Sequence, residues 1–209
     1  MSVAATRPAV SAIRASLILV AVLAAVMWLA TRSLQRPETP LPVLAQVPDF
    51  RLTDASGETV ALADLRGKPW VADLIFTSCA GICPRMTQEM ASLRKNGTPL
   101  PGLRFVSFSV DPATDTPEVL RNYATRFTSD RDGWFFLTGD DDAIRKVAAE
   151  GFLLPVQDGD PTRGDEAVLH SSRFVLVDGE ARVRGTYDVR DPEAMFALRT
   201  DLYRLRDEG

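Results

Sequence analysis

From residue 50 to the C-terminus, strand-forming and helix-forming patterns alternate along the chain. Apolar runs rich in β-branched and aromatic residues, such as Trp70–Phe76 and Arg104–Val110, are separated by segments that carry helix-start signals. One such signal is Thr116-Pro117-Glu118, which combines a capping hydroxyl, a proline at the first helical position and an acid in the first turn. This alternation predicts an α/β fold with a central sheet.

Two hairpins are predicted within the pattern, each marked by a turn motif between two strand-forming runs. The first joins Phe50–Thr53 to Glu58–Ala61 through Asp54-Ala55-Ser56-Gly57, and the second joins Ser172–Val177 to Arg182–Tyr187 through Asp178-Gly179. The other predicted elements are a strand at Trp134–Leu137, a helix that starts at Pro84, a helix at Asp141–Glu150 and a terminal helix opened by Asp191-Pro192-Glu193.

The N-terminal part of the chain is apolar in a different way. Residues 15–30 contain no charged side chain, and Ile13 and Thr31 extend the run. Crossing a hydrocarbon core takes roughly 17–25 residues in a helix, so the run suits either a short membrane span or the apolar part of a signal peptide. We predict an uncleaved transmembrane anchor at residues 13–31, because no small-residue cleavage site follows at the usual distance.

The anchor divides the chain into four segments. Residues 1–12 form an N-terminal tail, residues 32–47 a proline-rich extended linker, and residues 48–209 a single domain. Arginines flank the run on both sides, and their distribution favours a cytoplasmic N-terminus. Because the N-terminus lacks an arginine-rich presequence, we expect a single-pass protein of a bacterial inner membrane with its C-terminal domain in the periplasm.

Charge and residue scarcity limit the chemistry. The chain has 28 acidic and 24 basic residues and no basic stripe, so we expect no nucleic-acid partner. It contains two cysteines, Cys79 and Cys83, and a single histidine, His170. Any site built from thiolates and imidazole must therefore use these three residues.

The cysteines lie between the predicted strand Trp70–Phe76 and the helix that starts at Pro84. In a helical turn, residues four apart have Cα atoms about 6 Å apart, a separation that permits a disulfide or a shared metal ion. A position near the helix start predicts a lowered thiol pKa for Cys83. A thioredoxin-type redox pair has two intervening residues rather than three, which argues against that chemistry without excluding it; a purely structural pair is the third interpretation.

Spacing alone assigns no role to His170. It precedes the strand Ser172–Val177, and a lone histidine beside a strand is usually a hydrogen-bonded structural residue. Met86 and Met90 follow Cys83 and offer thioethers, but methionines at helical spacing are typical of a core.

Three motifs together closely resemble the Sco/SenC family. They are Gly67–Thr77 leading into the CxxxC-Pro sequence, Val110-Asp111-Pro112 followed by Asp115-Thr116-Pro117-Glu118, and His170–Asp178. The resemblance extends from about Pro48 to the C-terminus and includes the anchor. It implies a thioredoxin-like fold with an N-terminal hairpin extension, preceded by one transmembrane helix.

The resemblance also implies a copper site made by Cys79, Cys83 and His170. Two thiolates and one imidazole suit Cu(I), and the open coordination positions also admit Cu(II) or a ligand from a transfer partner. A structural zinc site would usually need a fourth protein ligand, whereas a catalytic zinc site would not. The implied partners are the copper-site subunit of cytochrome c oxidase, other copper chaperones or thiol oxidoreductases, and the membrane.

Two carboxylates are candidates for the outer shell of this site. Asp73 interrupts the apolar run before the cysteines, at the offset where thioredoxins carry a buried aspartate, so it is either buried and tunes the thiols or lies exposed at a sheet edge. Asp111 ends a predicted strand and either supports the site or forms a turn.

Two functions follow from the resemblance. The first is a membrane-anchored copper metallochaperone, which is not an enzyme in the usual sense, acting in assembly of the copper centre of cytochrome c oxidase. The second is a thiol–disulfide oxidoreductase whose redox-active pair, Cys79 and Cys83, reduces partner cysteines. A peroxiredoxin-like peroxidase is a third possibility that peroxide turnover would reveal.

Overall fold

The structure, a computed structural model, describes residues 17–28, 40–95, 97, 99–129, 133–154 and 171–208. The chain divides into two units, Met1–Thr39 and Pro40–Gly209. In the first unit, residues 17–28 form helix α1, inside the predicted anchor. Among the described residues, no helix combines the length and the apolar character that crossing a membrane requires.

A mixed sheet is the centre of the second unit. In the described residues it has eight strands in the order β1-β8-β7-β4-β5-β6-β2-β3. The central β4, β5 and β6 run parallel, and the strands outside them pair antiparallel. The strands are β1 (Ala45–Gln46), β2 (Arg51–Asp54), β3 (Thr59–Ala61), β4 (Trp70–Ile75), β5 (Arg104–Ser109), β6 (Trp134–Thr138), β7 (Arg173–Val177) and β8 (Arg182–Asp188).

Helices cover both faces of the sheet, and each face has its own apolar core. Residues of α2 and α5 pack in one core, whereas residues of α3, α4 and α6 pack in the other. The helices are α2 (Leu62–Leu65), α3 (Ile82–Lys95), α4 (Pro117–Ala124), α5 (Asp141–Lys146) and α6 (Pro192–Glu208). The predicted α/β architecture is confirmed.

Elements with strong local signals form as predicted. β2 pairs with β3 and β7 with β8, so both hairpins are present. β2 also pairs with β6, which attaches the N-terminal hairpin to the edge of the sheet. Thr116 caps α4, since its hydroxyl accepts the N–H of Val119 at 3.3 Å. These elements need little more than their own residues, because capping and turn chemistry act over a few positions.

Three boundaries differ from the predicted ones by two or more residues. Helix α3 begins at Ile82 rather than Pro84, because proline is tolerated throughout a first turn whose N–H groups have no intrahelical partner. Helix α5 ends at Lys146, and a π-helical turn, Val147–Gly151, completes the segment predicted as one helix. Residues 40–47, expected in the linker, belong to the second unit, where β1 pairs with β8 and Leu41 is buried.

The register of β7 decides which loops lie at each end of the central strands. Trp70 pairs with Val177 and Ala72 with Val175, so the first residues of β7 lie at the carboxyl end of β4. The cysteine loop leaves the sheet at that end. The Asp178 turn between β7 and β8 lies at the opposite end, beside the start of β4. We call these two ends of the central strands the cysteine end and the Asp178 end.

Candidate metal centre

The two cysteines lie at the junction of β4 and α3. Cys79 belongs to the loop before α3, and Cys83 to the first turn of that helix. The Cys79 N–H donates to the Phe76 carbonyl at 3.2 Å, and the Gly81 N–H donates to the Cys79 sulfur at 3.4 Å. Both thiols are free; Cys79 is half-buried, whereas Cys83 is only 3% exposed. The loop thus presents one accessible sulfur and one core-facing sulfur.

The two thiols have opposite pKa shifts. Burial opposes ionisation of Cys79, but hydrogen bonds from the backbone and thiol of Cys83 and from the backbone of Gly81 and Ile82 outweigh it and lower the pKa. Burial raises the pKa of Cys83 to about 12, and the nearby Cys79 and Asp73 charges add to the effect. The prediction of a lowered pKa at Cys83 is therefore wrong. Its backbone is at the helix start, but its thiol faces the core, and Cys79 is the better thiolate.

Asp73 is buried beside this pair. It is fully inaccessible at the centre of the sheet, so an exposed edge position is ruled out. Burial raises the pKa of Asp73 to about 7, and the hydroxyl of Ser107, its register partner on β5, pulls the pKa down by less. In the described part of the chain, neither carboxyl oxygen has a hydrogen-bond partner within normal distance and angle.

A polar layer continues from Cys83 into the core between α3, α4 and the sheet. The Thr87 hydroxyl donates to the Cys83 carbonyl at 3.0 Å and lies 2.8 Å from the Tyr123 hydroxyl. Met86 and Met90 are fully buried in the same core, in agreement with the helical spacing that indicated core residues. The surroundings of Cys83 are therefore closed to solvent but not wholly apolar.

Asp111 forms a turn after β5. Its backbone carbonyl accepts the N–H groups of Thr114 at 3.1 Å and Asp115 at 2.9 Å, and its carboxylate accepts the Thr114 N–H at 3.3 Å. These contacts explain the residue without a role at the cysteines. Its predicted outer-shell role stays a prediction.

Asp115 is the residue that sequence reasoning missed. It is fully buried, and its carboxylate accepts the Thr77 N–H at 3.1 Å, the Thr77 hydroxyl, and the Ser109 hydroxyl at 2.6 Å. The available signal was an acid directly before the helix cap Thr116. Asp115 connects the start of the cysteine loop to the end of the neighbouring strand.

His170 lies outside the described residues. Ser171, the next residue, is described, and its hydroxyl accepts the Arg173 N–H at 3.2 Å at the start of β7. Among the residues that the structure describes, no three histidine, cysteine or acidic side chains are grouped closely enough to hold a metal. The three-ligand set stays a prediction, and its two described members share one loop–helix junction.

Comparison with known protein families gives one extended match. The model of the SCO1/SenC family matches residues 40–202. A curated relative, the SCO1 protein homolog of Bacillus subtilis (strain 168), is 36% identical over 149 residues, which cover 70% of this chain and 76% of the relative.

Solved structures give the same result. BsSco is described as a member of the Sco family of cytochrome c oxidase assembly proteins with a disulfide switch; it is 31% identical with a TM-score of 0.68, covering 82% of this chain and 99% of BsSco. ScoI of Bradyrhizobium japonicum, solved with copper bound, is 28% identical with a TM-score of 0.60, covering 75% of this chain and 99% of ScoI. The predicted thioredoxin-like fold is confirmed by these matches.

Proposed function

This chain belongs to the SCO1/SenC family, and we propose that it is a copper metallochaperone that acts in the assembly of the copper centre of cytochrome c oxidase. Two neighbours support the proposal, since BsSco is described as an oxidase assembly protein and ScoI holds copper. The partner in this proposal is the copper-site subunit of an oxidase.

In this proposal, Cys79, Cys83 and His170 bind the copper ion. The observation that carries it is topological. The cysteines lie at the carboxyl end of β4, and β7 begins at the same end. The first residue of β7 follows His170 by three positions. Two thiolates and one imidazole form a soft set suited to Cu(I). A site with three protein ligands leaves a position for Cu(II) coordination or for a partner's ligand, which suits transfer.

We also propose the segment boundaries inferred from the sequence. Residues 13–31 anchor the protein in a bacterial inner membrane, residues 1–12 form a cytoplasmic tail, and the C-terminal domain lies in the periplasm. The uncharged run at residues 15–30 supports the anchor. A linker after the anchor holds the domain away from the membrane, and it ends where the domain begins.

Metal binding by defined variants tests the copper site. The full chain, purified in detergent under reducing conditions, is expected to bind one Cu(I) per chain. Cys79→Ser, Cys83→Ser and His170→Ala should each lower the affinity by at least about tenfold, because each removes a ligand. Ser78→Ala, which changes an exposed side chain of the same loop, is the matched control. Unchanged affinity in His170→Ala would reject the three-ligand site.

The asymmetry of the thiols favours a second candidate function, thiol–disulfide exchange. Cys79 is accessible and has a lowered pKa, as an attacking thiolate needs, whereas Cys83 is buried beside it as a resolving thiol. In such a reaction the Cys79 thiolate attacks a partner disulfide, which forms a mixed disulfide and releases one partner sulfur as a thiolate. The Cys83 thiol then gives up its proton and attacks the Cys79 sulfur of the mixed disulfide. An intramolecular disulfide forms and the second partner sulfur leaves as a thiolate, so the cysteine pair loses two electrons and the partner gains them.

Trapping experiments test this second function. Cys83→Ser should accumulate a mixed disulfide with a peptide disulfide substrate, because the resolving thiol is missing, and Cys79→Ser should not. His170→Ala should leave the exchange rate unchanged, since exchange uses only the thiols. Wild-type protein that reduces no peptide disulfide would remove the candidate.

A further inference from the structure

Asp115 is the point at which three parts of the domain meet. It follows β5 and precedes the cap of α4, and its own N–H donates to the Asp111 carbonyl at 2.9 Å. Its carboxylate accepts hydrogen bonds from two donors of Thr77, the N–H and the hydroxyl, and from the hydroxyl of Ser109. The side chain thereby joins the cysteine loop to a rigid strand end.

The Thr77 contacts act on the part of the loop that touches both cysteines. Phe76 precedes Thr77, and its carbonyl accepts the Cys79 N–H, while its backbone also forms a hydrogen bond that favours ionisation of Cys83. Thr77 uses both its N–H and its hydroxyl on Asp115, so position 77 is held at two points. Movement of Thr77 would carry Phe76 with it and change the separation of the sulfurs.

A carboxylate is suited to this task because it offers two acceptor oxygens and no donor. All three side-chain contacts of Asp115 come from donors that belong to neutral groups. Among the described residues, no cation pairs with Asp115, so hydrogen bonds alone compensate its burial. An amide of the same shape would turn an N–H₂ group toward one of these donors.

Building on the copper site proposed above, we propose that Asp115 is the positioning residue of the cysteine pair. By holding Thr77, it fixes the backbone of the cysteine loop, and so sets how readily the sulfurs of Cys79 and Cys83 reach the geometry that copper binding or a disulfide requires. It acts through the loop.

Two substitutions, each of which removes one hydroxyl that donates to Asp115, separate positioning from general stability. Thr77→Val removes the hydroxyl on the cysteine loop, and Ser109→Ala removes the hydroxyl on the strand. Thr77→Ser keeps the loop hydroxyl and serves as the rescue variant. The full chain in detergent is assayed for Cu(I) affinity against a competing chelator, for the equilibrium of its cysteine pair with dithiothreitol in the absence of copper, and for thermal unfolding.

We expect Thr77→Val to lower Cu(I) affinity and to shift the dithiothreitol equilibrium, each by about threefold to tenfold, the value of one hydrogen bond. Thr77→Ser should stay within about twofold of wild type in both assays because it keeps both contacts to Asp115. Ser109→Ala should do the same, even where unfolding shifts, because the backbone hydrogen bond from Asp115 to Asp111 still holds Asp115 in place. Wild-type values for Thr77→Val, or equal changes in Ser109→Ala, would overturn the proposal. The equilibrium with dithiothreitol is measured without copper, so it tests the positioning role of Asp115 even if the chain binds no copper. Failure of the proposed copper site is therefore distinguishable from failure of the positioning proposal.

Discussion

Two buried aspartates of the domain have opposite surroundings. Asp73, at the centre of the sheet and beside the cysteine pair, has no cation and no well-formed hydrogen bond among the described residues, and burial raises its pKa to about 7. Asp178, in the turn between β7 and β8 beside the start of β4, is also buried, though less completely, and hydrogen bonds from Arg182 and Arg184 outweigh burial and lower its pKa. The surroundings of the cysteine pair leave a polar group available for chemistry, whereas the Asp178 end gives its polar groups hydrogen-bond partners that stabilise the fold.

Hydrogen bonds at the Asp178 end also hold the first residues of the domain in place. Arg184, 4% exposed, donates to Asp178, to Glu208 and to the carbonyls of Leu41 and Pro42. Glu208 in turn accepts the Leu41 N–H at 2.6 Å. The arginine therefore fixes the first residues of the domain against the end of α6.

Removing Arg184 should have the largest effect on stability. Arg184→Met is expected to lower the free energy of unfolding by about 3–5 kcal/mol, because buried carboxylates and carbonyls lose their partner. Chemical denaturation of the full chain in detergent measures this. Arg190→Met is the matched control, since it breaks an ion pair in which the arginine is exposed. A loss of stability for Arg184→Met no larger than that of the control would contradict the claim that the Arg184 hydrogen bonds stabilise the fold.

Asp73→Asn should have the next largest effect, with a pH dependence. An unfolded aspartate titrates near 3.8 and Asp73 near 7, so between these values the folded state holds one more proton. Stability falls as the pH rises through this window, by on the order of 4 kcal/mol. The variant lacks this fall, so its stability relative to wild type should rise from pH 4 to pH 8 in denaturation experiments. A pH-independent difference would show that Asp73 titrates normally.

A smaller effect is expected in the alkylation rates of the two thiols, Cys79 and Cys83. At pH 7, iodoacetamide should modify Cys79 at least about tenfold faster than Cys83, because Cys79 is accessible with a lowered pKa and Cys83 is buried with a raised one. Peptide mapping by mass spectrometry of the reduced chain gives both rates. Equal rates, or faster labelling of Cys83, would reverse the assignment of the thiolate.

Features that depend on neighbouring residues could be predicted from the sequence. Both hairpins and the Thr116 cap are examples, because turn and capping preferences operate within a few residues. Strand β1 could not be predicted, since its two residues form a strand only by pairing with β8, more than 130 positions away. The buried Arg184 contacts that hold Leu41 are equally non-local.

The sequence located the two cysteines of the candidate site at one loop–helix junction, but not the orientation or ionisation of each thiol. Scarcity identified the two cysteines, and the position of Asp73 in an apolar run left burial and edge exposure open until the structure showed burial. Which thiol ionises depends on the direction of each side chain, which spacing does not encode. Asp115 was missed because its carboxylate bonds to Thr77, which lies 38 residues earlier.

X-ray absorption at the copper edge of the Cu(I)-loaded full chain tests the central claim most directly. The account predicts two sulfur ligands and one imidazole nitrogen, and loss of the nitrogen contribution in His170→Ala with both sulfurs retained. A wild-type spectrum with sulfur ligands alone, or one unchanged by His170→Ala, would contradict it.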